Sequence, residues 1–291
     1  MTARDDERRS TVNDDMLRKV QLALLEIAKE IKRVCDENGI DYFLDSGSLL
    51  GAVRHKGFIP WDDDMDFGML REDYDRFLKI APEKLRPEFR LQTWDDDPFF
   101  PMPFCKVCKR GTLFLEPVAQ FSQARKELFV DVFPYNNYPD ARFARARVKF
   151  GCKFLRDLLN LKCGYATWAS RKGLDRLWRR AKTLPLRVLS LFVSKRFLIS
   201  RFTALATRSS AAPTARLCAQ TSAYGKWVVP ASCLVGRVDL PFEDDVFKAP
   251  AGYDAYLSSV YGDYMTLPPE NKRKSHGALQ CRLEVEEGCA E

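Results

Sequence analysis

The sequence predicts a mixed α/β core interrupted by a basic helical segment, and three observations carry that prediction. Apolar residues recur at helical spacing near the N-terminus, short runs further on alternate apolar and polar residues as strands do, and a central stretch is both strongly basic and helical in period. With 291 residues, 46% of them hydrophobic, the chain is long enough to bury a sizeable core. It contains no uninterrupted apolar run of about 18 residues, so no transmembrane helix is expected. The opening MTARDDERRSTVNDD lacks the apolar centre of a secretion signal, and the expected location is cytoplasmic. Nine cysteines at irregular spacing fit reduced thiols better than a disulfide framework.

The first element is a helix from about Asn13 to Asn38, where Leu17, Val20, Leu24, Ile27 and Ile31 make an apolar stripe suited to covering a sheet; Gly39 ends it. Tyr42 to Leu44 reads as a strand and Leu49 to Val53 as a helix, with Gly47 and Ser48 at the turn between them. In Asp62 to Phe67 the aspartates at 62, 64 and 66 alternate with Asp63, Met65 and Phe67; as a strand, this segment would place three carboxylates on one face and turn Met65 and Phe67 inward. An amphipathic helix follows through Phe77, closed by Pro82 and Pro87. Strands are expected over Phe89–Trp94, over Phe99–Val107 with Pro101 and Pro103 marking an edge or bend, at Leu113–Leu115, and around Phe129–Phe133. Cys105 and Cys108 have half of a zinc spacing, but three residues apart on a strand they face opposite sides, and no second pair with ligand spacing accompanies them.

The chemistry concentrates in Asp41–Gly68, DYFLDSGSLLGAVRHKGFIPWDDDMDFG. A helix starting after Gly47 and Ser48 would aim backbone N–H groups at an anion, and stacked carboxylates repel one another unless a cation lies between them. Paired aspartates suit Mg²⁺, which takes oxygen ligands and shares its sites with substrate phosphates. Acidic runs after Pro-Trp are also common in solvated turns; what weighs against that reading is the company of Gly-Ser, Arg54, His55, Lys56 and Trp61 in one short segment.

This segment resembles the LicD family, which is related to fukutin-related proteins. The resemblance extends through REDYDRFL at Arg71–Leu78, ELFVDVFPYN at Glu127–Asn136 and YDAYLSSVYGDYMTLPPENKRKSH at Tyr253–His276, and so covers roughly residues 15–136 and 224–276. It implies a nucleotidyltransferase-like mixed sheet flanked by helices, and transfer of phosphocholine or a polyol phosphate from a CDP-linked donor to a cell-envelope glycan, such as lipopolysaccharide or teichoic acid, or to its lipid-linked precursor. It also implies that Asp64 and Asp66 hold Mg²⁺ (or Mn²⁺) with Asp131 as third ligand or base and Asp62 as an outer member. On its own terms, too, Asp131 is notable, because an acid amid Phe129, Val130, Val132 and Phe133 is costly unless paired or bound to metal. Gly47 and Ser48 would contact phosphate, and Arg54, Lys56 or Lys106 would supply positive charge.

In the donor, attack at the phosphorus distal to cytidine releases CMP, whereas a nucleotidyltransferase is attacked at the proximal one. The motifs alone do not choose between these, and a non-catalytic nucleotide- or glycan-binding module is a third reading that intact Asp64, Asp66 and Asp131 argue against. A choline head group calls for aromatic faces, with Trp61, Trp94, Tyr135 and Tyr138 as candidates that are equally candidates for core packing. His55 and His276, the two histidines, both fall within family-like motifs; a lone histidine is more often structural than catalytic.

Residues 140–216 differ in character, with 19 lysines and arginines against 3 acids, a net +16 in a chain whose total is +7, so that the remainder carries −9. Leu174, Leu177, Trp178, Leu184, Leu186, Leu189 and Phe192 recur at helical spacing, which predicts two to four amphipathic helices broken near Gly164, Gly173 and Pro185, with Arg176, Arg179 and Arg180 on the basic side. The expected organisation is a catalytic core over 1–139, a basic helical insertion over 140–216 and a C-terminal part over 217–291 that completes the site. The insertion is either a solvated face of ordinary helices or a peripheral contact with the anionic inner leaflet. No nucleic-acid module is visible, and nucleic acid is not the expected partner.

Overall fold

The structure, a computed structural model, describes residues 14–165, 173–209, 212–219, 227–275 and 277–284; His276 and the side chains of Leu174, Arg176, Leu177, Arg179 and Arg180 lie outside the described residues. It is an α+β fold, a mixed sheet with helices packed around it. Helix α1 (Asp14–Glu37) buries Val20, Leu24, Ile27 and Ile31, the stripe read from the sequence, against the sheet. Strand β1 (Phe43–Leu44) leads into helix α2 (Ser46–His55), then strand β2 (Asp66–Leu70) and helix α3 (Arg71–Lys84). Strands β3 (Phe89–Gln92), β4 (Cys105–Lys109), β5 (Leu113–Leu115) and β6 (Leu128–Tyr138) follow.

The strand order is β1-β2-β6-β4-β3, with β2 and β6 parallel and the other neighbours antiparallel. The end of β6 also pairs with β7 (Arg216–Ala219), which pairs with β8 (Val228–Pro230). A hairpin of β9 (Arg237–Phe242) and β10 (Asp245–Pro250) packs beside β1, helix α7 (Tyr253–Tyr261) follows it, and β11 (Gln280–Arg282) returns to pair with β5. One face of the sheet, including Cys105, Val107, Val130 and Val132, joins Val20, Leu24 and Ile27 of α1 and Phe77 of α3 in the main core. Gly68 of β2 is there because a Cβ would come within 2.3 Å of the Phe43 ring on β1.

Several boundaries depart from expectation. α3 runs on through Pro82 to Lys84, since it is capped only where Leu85 turns extended and donates its N–H to Ala81 O. Residues 99–104 carry no strand; β4 begins at Cys105, where pairing with β6 begins. Cys105 and Cys108 are buried, and burial pushes the Cys105 thiol up to about 12. The basic segment forms three helices, α4 (Arg142–Lys162), α5 (Gly173–Phe192) and α6 (Lys195–Ala206), with Pro185 inside α5. Small separate cores join α4 to α6 and seat Trp94 beneath them. No helix among the described residues is long and apolar enough to cross a membrane.

Candidate active site

Strand register brings the chemistry together. Asp66 on β2 lies opposite Asp131 on β6, Asp131 lies opposite Lys106 on β4, and Lys106 lies opposite Gln92 on β3. Cross-strand partners point to the same face, so these four residues make one polar row across the sheet, on the face away from α1. Asp45, just past β1, extends the row by donating its N–H to Asp66 O at 3.0 Å. The acid seen in an apolar run thus meets the aspartate motif 65 positions earlier.

The row is electrostatically strained without a cation. Burial and then the neighbouring charges of Asp64, Asp131, Asp45 and Asp62 push the Asp66 carboxyl well above the usual carboxylate range. Asp66 itself is half-buried. Lys106 is almost wholly buried; its Nζ donates to Glu116 Oε2 at 3.0 Å, lies 3.8 Å from Asp131 Oδ1 and stands over the Phe129 ring. Burial lowers its pKa, but Glu116 and Asp131 outweigh that, and the ammonium is held charged. One cation beside this many carboxylates leaves an excess of negative charge.

An all-carboxylate donor set fits a hard divalent ion such as Mg²⁺ or Mn²⁺. Among the described residues no three His, Cys, Asp or Glu side chains form a ready-made cage.

The aspartate run departs from the expected strand. Only Asp66 belongs to β2; residues 62–65 are irregular, because the Gln21 side chain donates to Ile59 O and Asp62 O and the Asp62 N–H turns back to Ile59 O. Ladder bonding resumes at Met65 O, which accepts from Asp131 N. Met65 and Phe67 are buried as expected, but Asp63 is buried too and accepts from Gly277 N at 3.1 Å.

Gly47 and Ser48 lie inside α2 rather than ahead of it. Asp45 is the N-cap, its Oδ1 accepting from Ser46 N at 2.8 Å, and Ser46 sits in the left-handed region at φ 51°. Such a conformation in a non-glycine residue stores about 1 kcal/mol or more. A Cβ on residue 47 would come within 2.9 Å of Asp62 Oδ2, so the close approach that glycine allows is taken up by that carboxylate. The Ser48 hydroxyl accepts from Asp66 N at 2.9 Å and thereby fixes the start of β2. Ser48 itself is buried.

The remaining basic candidates lie at the other end of α2. Arg54 donates through Nη1 to Tyr264 O at 2.7 Å, and burial followed by the nearby Arg273 charge lowers its pKa. Lys56 is exposed and caps the helix in a left-handed conformation. His55 is half-buried, with burial and then Arg54 lowering its pKa, so the ring is neutral at neutral pH. Of the four aromatic candidates, Tyr138 packs with Val148 and Cys152, Trp94 lies edge-on to Phe202, and Tyr135 is buried with its hydroxyl donating to Asp45 Oδ1 at 2.8 Å. Trp61 is the one beside the aspartate run, and Arg273 stands 5.3 Å from its ring.

Sequence reasoning missed Asp45, Tyr256 and Tyr261. Tyr256 on α7 also donates to Asp45 Oδ1, and its hydroxyl is 3.1 Å from that of Tyr135, so one buried carboxylate ties α7 to β6 and α2. Burial first, and then the charges of Asp66, Asp45, Asp62 and Asp64, raise the Tyr261 phenol, which places it at the edge of the same acidic cluster. The helical spacing of 253, 256, 257, 260 and 261 was the signal available.

The comparisons bear on this geometry directly. The family model described as LicD/FKTN/FKRP, nucleotidyltransferase domain, matches residues 39–154, a span that holds Asp45, the aspartate run, Lys106 and Asp131. The lipopolysaccharide cholinephosphotransferase LicD of Haemophilus influenzae is 28% identical over 269 residues, covering 89% of this chain and 95% of that protein. The ribitol 5-phosphate transferase FKRP of human and mouse is 49% identical over a 51-residue stretch, 18% of this chain and 10% of the relative. An uncharacterized protein of Rickettsia typhi is 40% identical over 74 residues, 25% of this chain and 24% of its own length. The family model spanning the acidic row and a relative aligned over most of the chain's length together support membership of the LicD family.

Proposed function

We propose that this protein transfers phosphocholine, or a related phospho-head group, from a CDP-linked donor to a hydroxyl of a cell-envelope glycan or its lipid-linked precursor, releasing CMP. The observation that carries the reading is the cross-strand meeting of Asp66 and Asp131, with Asp64 and Asp62 contributing to the same field. The two named relatives share the class of reaction, since one is a cholinephosphotransferase and the other a ribitol 5-phosphate transferase.

Phosphoryl transfer depends on alignment and charge neutralisation more than on a reactive side chain. Asp64, Asp66 and Asp131 would hold the divalent ion, with Asp62 outside them. An Mg²⁺ ion held there would supply the positive charge that offsets the donor pyrophosphate. Lys106 fixes Asp131 from the β4 side, and Ser48 fixes the backbone of Asp66. Asp131 would serve as that third ligand or, instead, as the base that takes the proton of the acceptor hydroxyl. Arg54 and Lys56, at the end of α2, supply positive charge to the phosphates. Trp61 offers a face for a quaternary ammonium, which would take the place of the Arg273 guanidinium there.

Product analysis tests the reading. Purified protein with Mg²⁺, CDP-choline and a glycan acceptor is expected to release CMP and leave choline phosphate on the acceptor. Pyrophosphate released from a nucleoside triphosphate would establish nucleotidyl transfer instead. Binding of donor without turnover would establish a binding module.

A further inference from the structure

We propose that helix α5 is a docking surface for an anionic lipid bilayer. Among its described side chains the packed side is narrow: Thr183 and Leu186 are half-buried, Ser190 is buried, and Lys162 of α4 donates to Ser190 O at 2.9 Å. At about 100° per residue these three share one face. Trp178, Leu189 and Phe192 fall on another, flanked by Leu184, Val188 and Leu191, and all six are exposed, Phe192 by 82% and Leu191 by 71%. A helix with this much uncovered apolar surface is not finished by its own fold.

Charge selects the occupant. Lys182 and Arg187 are exposed among these apolar residues, with Lys182 Nζ 4.5 Å from the Trp178 ring, and the segment 140–216 carries net +16. A second copy of the chain would bring the same positive charge against itself, whereas anionic headgroups complement it. Exposed Trp, Leu and Phe on a Lys/Arg-bearing helix are the composition of helices that lie in the membrane interface, apolar side among the acyl chains and basic groups at the headgroups. The acidic row is built on other elements, so this inference stands apart from the proposed chemistry.

Flotation of the full chain with vesicles tests it. Wild type is expected to float with vesicles containing phosphatidylglycerol and to stay in solution with phosphatidylcholine alone. Binding should weaken as salt shortens the Debye length from about 10 Å at 0.1 M to about 3 Å at 1 M. Replacing Lys182 and Arg187 with Gln should lower the affinity about 25-fold, at roughly fivefold for each basic residue near an anionic surface. A Trp178→Ser, Leu189→Ser, Phe192→Ser variant, shown to be folded by circular dichroism, should lose binding by at least about tenfold. Hydrolysis of soluble donor should be unchanged in both variants. Equal partition of wild type onto neutral and anionic vesicles, or no binding to either, would overturn the proposal. So would a wild-type dimer that the serine variant converts to monomer with vesicle binding unaffected.

Discussion

At Asp66 the requirements of stability and of function oppose each other. Burial and four neighbouring carboxylates raise its pKa, so without a cation the folded chain holds this proton more tightly than the unfolded chain does. A raised carboxyl contributes stability that is fully present below the unfolded pKa and is lost as pH rises through the folded one. Asp66→Asn removes that penalty. In the presence of chelator at neutral pH the variant is therefore expected to melt above wild type, with the difference shrinking towards acidic pH, as scanning calorimetry would show. Its transfer activity should fall at least about 100-fold, the scale of losing transition-state charge stabilisation. A variant that melts below wild type at neutral pH would contradict this electrostatic account. Asp66 and Asp131 were legible in the sequence because a charge between apolar neighbours on a strand needs a partner. Asp45 was not: in DSGS it reads as an ordinary turn residue, and only the fold shows Tyr135 and Tyr256 converging on it.

At the scale of elements, periodicity served well where one face is buried and failed where side chains capture the backbone. The stripe of α1 and the strand at Leu113–Leu115 were readable as they stand. Residues 62–65 alternate like a strand, but Gln21, a polar residue on α1 about forty positions away, binds the carbonyls of Ile59 and Asp62 just ahead of β2, and no local pattern encodes this. Glu30 is a second long-range device: wholly buried on α1, it accepts from Arg33 and from both the side chain and backbone of Arg86 just beyond α3. Burial pushes its pKa up, but these donors outweigh burial and hold it below the usual range. The sign is opposite to that of Asp66, with stability present above the unfolded pKa and lost as pH falls through the folded one. Glu30→Ala is expected to cost about 2 kcal/mol at neutral pH in urea unfolding and much less in acid. An equal loss at both pH values would assign the effect to packing.

Over the whole molecule, the parts read from the sequence meet at one place. β1, β2, β4 and β6 supply the acidic row and its lysine, α2 leans on it through Ser48, and α7 closes over it through Tyr256 and Tyr261. The basic helices stand on their own small cores and add a second surface of different chemistry. The basic composition was legible, but not which faces stay uncovered, since that depends on how the described side chains of α5 pack against α4. The account rests on Asp66 and Asp131 acting as one metal site. Crystals soaked with Mn²⁺ and CDP, examined by anomalous scattering, test this most directly. An ion ligated by both carboxylates at about 2.1 Å and by a pyrophosphate oxygen is the expected result, with the peak lost in Asp131→Asn. An ion and nucleotide bound away from this pair, or a peak that persists unchanged in the Asp131→Asn variant, would contradict it.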